Sequence, residues 1–496
     1  MAVLGLLVTP HLMAATSLSR EDVQWLDRVT YGPTTATVEE YLRLGRRRFL
    51  DEQLHPRDVR LPQPAAAQID ALDISHSSNT DLLATVFKEH QRINALADEM
   101  QQQVQRKALN ERGNKLAYEA ARDQILRAIY SPAQLQEQLT AFWLNHFSVF
   151  QHKASVAWVV GDYADRAIRP HALGHFRDLV MASLTHPAML QYLDNAQNAA
   201  GHINENYARE LMELHTLGVG SGYSQQDIQE LARILTGVGV NVSGNEPRLK
   251  PQWQPLYVHQ GAFEFNPARH DFGAKTLLGK HFEGSGFAEV EQAVDLLTSQ
   301  PACAQFVSRK LALYFVSDNP PRSLTDRMAK TFQKSHGDIA EVLQTLFKSR
   351  EFTASLGSKF KDPLHYVIST VRLAYDGKPI INTHPVVNWL NALGEAPFAR
   401  QTPDGYPLTE IGWASSGQIS RRFEIARAIG SGNGGLFDPE DGTAATTTGF
   451  PQLSNRLYFN AVDPLLSANT RAALDRASSQ LEWNTFLLAS PDFNYR

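Results

Sequence analysis

The chain has 496 residues, 43% of them hydrophobic and 20% charged, with a formal net charge of -5. That profile fits an ordinary globular protein with a sizeable core. It excludes global disorder and, since no Lys/Arg run is long enough to follow a phosphate backbone, speaks against nucleic acid as a partner. Cys303 is the only cysteine, which excludes an internal disulfide and a thiolate metal cluster.

At the start, AVLGLLV followed by TPHLMAA reads as the apolar region and small-residue end of a secretory signal over residues 1–16, with cleavage near Ala14 or Ala15. It lacks a basic leader and is far shorter than the roughly 20 residues of a membrane-spanning helix. The expectation is a periplasmic or secreted protein, with no later segment apolar enough to cross a bilayer.

Helical periodicity then dominates. Ser19 with Asp22 opens a first helix through Trp25 and Leu26, and Pro33-Thr34 punctuates before the next. Residues 80–129 read as a projecting helical hairpin arm, with Ile93, Leu96, Met100 and Val104 on a narrow stripe, a solvated tip and a break at Gly113. Ser131-Pro132 predicts a further helix start. The segments LLASPDF, TLFKSREF and MASLTHPAM suggest a recurring helix-to-helix corner. Residues 240–285 are rich in Gly, Asn, Pro and aromatics, and GAFEFNP and KTLLG predict two short strands or an extended pair. Helices return from Phe287, interrupted by RQTPDGYPLTEIGW and by the Gly/Thr-rich tract 431–449. The fold class predicted is mainly α, a multi-helix body with a long helical arm and one or two β-hairpin excursions. It forms one large unit over 17–496 or, alternatively, two lobes (17–240 and 285–496) joined by the irregular segment.

The stretch NENYARELMELHTLG carries the densest chemistry. On a helical wheel Arg209, Glu213, Asn206 and Glu210 share an arc of about 100°, with apolar residues opposite. Such an arc usually faces water, and the competing expectation is a cleft in which Glu210 and Glu213 act as acid/base groups or metal ligands positioned by Arg209. His215, on the apolar side, and His146, on the stripe of FWLNHF, are candidate metal ligands that more often serve as hydrogen-bonded core residues. In ARHDFGAK, His270, Asp271 and Lys275 cluster in an irregular segment, where loops often carry function. Ser224 with Asp227 caps the next helix. No Gly-x-Ser-x-Gly elbow, phosphate loop, His-Glu-x-x-His or dinucleotide fingerprint is present.

The blocks RVTYGPT, FWLNHF, NENYARELMELHTLGVGSGYSQQDIQELARILTG, FNPARHDFGAKTLLG, TPDGYPLTEIGW and LLASPDF resemble, in order, those of domain-of-unknown-function family 1800 (DUF1800). The resemblance implies an exported bacterial protein, often encoded beside a second, secreted sulfatase-like protein that would be a partner. It implies no catalytic residue.

The functional expectation is an exported enzyme with a buried carboxylate/histidine site. Glu210, Glu213, Arg209, His270 and Asp271 are the catalytic candidates, Asn206, Lys275, Tyr406 and Trp413 the binding candidates, and a divalent metal held by His146 and His215 a further element. The alternative is a non-catalytic scaffold in which these groups fix helix register as a buried network. Carbohydrate binding through Trp143, Trp253 and Trp413 is a third, less specific reading.

Overall fold

Helix caps written in the sequence fix where many elements begin. In the structure, a computed structural model that describes residues 18–243, 245–440 and 450–496, Ser19 Oγ accepts from the Asp22 N–H at 3.1 Å and starts the helix Arg20–Val29. Ser224 and Asp227 cap Gln225–Ile234 reciprocally, each side chain binding the other's backbone N–H. The expected start at Ser131-Pro132 is displaced. Ala133 takes a non-helical backbone and Ser131 Oγ accepts from its N–H, so the helix Gln134–His146 begins two residues later. The corner device recurs at Ser349, whose Oγ accepts from Phe352 N–H at 3.1 Å, and at Ser490, which does the same for Phe493 at 3.2 Å. In the third copy the acceptor is His186 Nδ1 rather than Thr185.

The protein is mainly α, 61% helical and 4% strand. The signal-like segment 1–16 and residues 441–449 lie outside the described residues. No described helix is long and apolar enough to cross a membrane. Two long helices, Asn79–Asn94 and Glu99–Tyr130, are joined by a turn that Asp98 caps. Gly113 therefore breaks nothing. It sits inside the second helix, where an added Cβ would come 2.8 Å from Trp158 Nε1, so its bareness is what lets the indole pack. Met100 and Val104, near the turn, are 75% and 60% exposed, whereas most apolar positions from Leu109 onward are buried.

The two predicted strands exist but do not pair with each other. Phe263–Phe265 is the centre of a three-stranded antiparallel sheet between Val238–Val240 and Val258–Gln260, with Phe265 opposite both Val238 and Val258. Lys275–Leu277 folds back on Lys280–Phe282. The two-residue turn between them has positive φ at both Leu278 (49°) and Gly279 (79°), the backbone twist that a tight hairpin demands. Buried apolar side chains from Leu18 to Leu488 form one contiguous cluster, with Trp25, Trp143, Tyr163, Tyr207 and Phe176 among its largest members.

Candidate functional site

Three of the sequence blocks meet around Asn145 and His146, at the end of Gln134–His146. Asn145 clamps the TPDGYP loop in both directions. Its Nδ2 donates to the Tyr406 carbonyl at 3.0 Å, and its Oδ1 accepts from the Tyr406 N–H at 2.5 Å. Gly405 makes this approach possible: it holds φ at +76°, and a Cβ there would lie 2.2 Å from the Asn145 carbonyl oxygen. Trp413 is an internal prop of the same loop, 4% exposed, with its Nε1 donating to the Pro407 carbonyl at 2.9 Å.

His146 joins the second block. The helix Asn206–Glu210 runs on into a π turn, Leu211–Thr216, in which the Leu217 N–H reaches back to the Met212 carbonyl. Such turns are frequent at functional sites, and a second one, Tyr163–Ile168, occurs elsewhere in the fold. The His146 Nε2 lies 3.0 Å from the His215 carbonyl, so this nitrogen carries the hydrogen and Nδ1 is the acceptor. The partner of Nδ1 is Lys310 Nζ, 2.8 Å away, from the helix Pro301–Phe315. Lys310 makes no ion pair among the described residues. Its further contact is with the Phe306 ring, 5.5 Å from Nζ, and Phe306 in turn packs on the bare Cα of Gly218.

A partly buried ammonium without a paired counter-ion is costly. Burial pulls Lys310 down to about 8, against a smaller upward pull from the Asp404 carboxylate of the clamped loop. Burial, and then the neighbouring Lys310 charge, keep His146 well below the usual imidazole range. Burial takes His215 down to about 3. Neither ring nitrogen of His215 has a hydrogen-bond partner among the described residues, and the ring lies 5.1 Å from Phe147 and 6.1 Å from His146. Both nitrogens of His146 are engaged. Among the described residues no group of three His, Cys, Asp or Glu side chains is disposed to hold a metal ion.

The polar arc of the 206–213 helix is neither freely solvated nor wholly sequestered. Arg209 is 37% exposed and spans Glu205 (3.2 Å), Glu213 (3.4 Å) and Gln225 (3.0 Å). Asn206 Nδ2 donates to the Leu193 carbonyl at 3.1 Å, a structural tie. Glu210 differs from these. It is partly buried with no hydrogen bond among the described residues, and burial, then Glu213 and more weakly Asp404, raise its carboxyl above the usual range.

The ARHDFGAK residues go elsewhere. His270 Nε2 and Lys275 Nζ both contact Glu289 Oε1, at 2.7 and 2.5 Å, with all three side chains wholly inaccessible. His270 Nδ1 donates to the Thr236 carbonyl at 2.7 Å, and Asp271 pairs with Arg233 at 2.8 Å. No hydrogen bond or ion pair links this network to Glu210, Glu213 or His146 among the described residues. The His270 loop does meet the 204–237 segment, but through Thr236 and Arg233 at the end of Gln225–Ile234 rather than through Glu210 or Glu213.

Sequence reasoning missed Lys310. The signal was present: Cys303, Val307, Lys310 and Tyr314 follow the 4-3-4 spacing of an apolar helical stripe, and a lysine in such a stripe points inward.

These observations define a mainly α-helical protein with a lysine–histidine pair sheltered where two helices and an irregular loop meet. The chain belongs to the family described as "Protein of unknown function (DUF1800)", whose model matches residues 24–495. No curated protein and no solved structure matches it.

Proposed function

We propose that the protein is an exported enzyme performing proton-transfer chemistry at the Lys310–His146 pair. The supporting observation is the 2.8 Å contact between a partly buried lysine and a neutral imidazole, with no carboxylate within ion-pair distance of the ammonium among the described residues. With a value of about 8, an appreciable share of Lys310 is the free amine near neutral pH, which is the form a general base requires. His146 Nδ1 then holds the ammonium once the proton has been taken. Asp404 is the acidic group that acts on Lys310, and Glu210, its carboxyl raised above the usual range, lies within reach of Asp404's charge. Export to the periplasm or beyond, and a sulfatase-like secreted partner, enter this reading from the family resemblance. A divalent metal enters it only as an addition, since the described residues supply no ready ligand set.

The scaffold reading draws on a different observation: His270, Lys275 and Glu289 are fully buried and mutually paired, as a network fixing register would be.

Competitive labelling of lysines with acetic anhydride across pH 6–11, read peptide by peptide, tests the proposal. Lys310 should label with a midpoint near 8. A midpoint above 10, or any hydrolytic or isomerase activity of the wild type that survives intact in Lys310→Met, would refute it.

A further inference from the structure

Behind the Asn145 clamp lies a cavity of about 90 Å³. Its walls are largely apolar, including Ile125, Leu144, Val149, Leu390 and Phe398. Among its charged lining residues, Glu137 and Arg169 satisfy each other at 3.1 Å, and Arg169 is further engaged by Asp165 and by Asp123 at 3.3 Å. That pair has little left to offer a guest.

Three other lining groups are different. The Tyr31 hydroxyl belongs to a side chain only 1% exposed and makes no close hydrogen bond among the described residues, with the Tyr314 hydroxyl as a looser neighbour. The Gln124 Nε2 is buried and unpaired. Glu395 accepts one hydrogen bond, from the Leu364 N–H at 2.9 Å, and has no cation within ion-pair distance among the described residues. Burial and then the nearby Asp362 carboxylate push its carboxyl well above the ordinary range. Asp362 itself stays ionised, 2.8 Å from His365 Nδ1. Of the two carboxyls, Glu395 is the one driven towards the neutral acid, the form with an O–H to give. A phenol, a carboxylic acid and an amide thus line one apolar cavity as donors, and a buried donor left unpaired costs about 1–3 kcal/mol. A tyrosine hydroxyl and a neutral carboxyl in an apolar pocket suit an oxygen bearing partial negative charge.

We propose that this cavity binds a small, largely apolar carbonyl compound whose oxygen accepts hydrogen bonds from the Tyr31 hydroxyl and the Glu395 carboxyl. The site stands apart from the Lys310 reading, since Lys310 does not line it.

The test uses the full chain with acetone, cyclopentanone and cyclohexanone, each ¹³C-labelled at the carbonyl, and methylcyclopentane as the hydrocarbon control. At least one ketone should bind at least tenfold more tightly than the hydrocarbon, with its C=O stretch moved to lower frequency. Tyr31→Phe, which removes only a hydroxyl with no close partner and should fold with an unchanged denaturation midpoint, should weaken the ketone roughly tenfold and return the band towards its free position. If Tyr31→Phe fails to fold, Glu395→Leu should give the same two losses. The proposal is overturned if none of the ketones binds, if the hydrocarbon binds as well, or if the folded variant leaves affinity and band unchanged.

Discussion

Replacing Lys310 with methionine should stabilise the protein at neutral pH while removing the proposed base. The sign follows from the direction of the shift. In the unfolded chain the amine has its ordinary value of 10.5, and in the folded protein about 8. Between those values the unfolded chain binds the proton more readily, so stability rises with pH across that window, and below pH 8 the cost of the partly buried charge is fully present. At about 1.4 kcal/mol per pH unit, that cost is on the order of 3 kcal/mol. Methionine fills a similar space with no charge, so Lys310→Met should recover part of it at pH 7. The gain should fade to nothing by pH 10.5. Urea denaturation at pH 6, 7, 8, 9 and 10.5, comparing wild type and variant midpoints at constant slope, measures the difference. A variant less stable than wild type at pH 7, or a difference that does not change between pH 8 and 10.5, would refute the reasoning. A residue that costs this much is one whose retention points to function rather than packing.

Glu289→Gln should destabilise by roughly 3–5 kcal/mol in the same assay, because it strips the counter-charge from the inaccessible Lys275. Glu210→Gln should act in the opposite direction, by no more than about 1 kcal/mol at pH 7 given its partial exposure. Its raised folded value makes the charged form unfavourable above that value, so the advantage over wild type should shrink as the pH falls towards 4.5. Gly405→Ala should release the TPDGYP loop, since a Cβ would collide with the Asn145 carbonyl at 2.2 Å. Limited proteolysis between Arg400 and Trp413 should become faster by at least severalfold, while unaltered cleavage would show that the clamp does not hold the loop.

What could be read from the chain alone follows the range of the interactions. Caps such as Ser224–Asp227 are three-residue events and were legible. So was the amphipathic face of 206–213, because its period is written locally. Gly113 misled because its meaning depends on Trp158, 45 positions away, and a glycine that admits an indole looks like one that ends a helix. His270 and Lys275 stand out in the sequence as a cluster on an irregular segment, yet their pairing hinges on Glu289, which sits in an ordinary-looking helix. Glu395 carried no sequence signal at all. Its state is set by burial and by Asp362, and neither has a local pattern. Lys310 lies between these cases, visible as a misfit in an apolar stripe but with its histidine partner 164 residues away.

The hold of Asn145 on Tyr406 rests on an amide that gives and accepts at once, a complementarity that aspartate cannot reproduce. Spontaneous loss of ammonia from that side chain would swap one nitrogen for one oxygen and set a negative charge against a carbonyl, turning attraction into repulsion. That one amide would thus act as a slow chemical clock at the seam beside His146, and an aged preparation would shed its loop before it lost its fold.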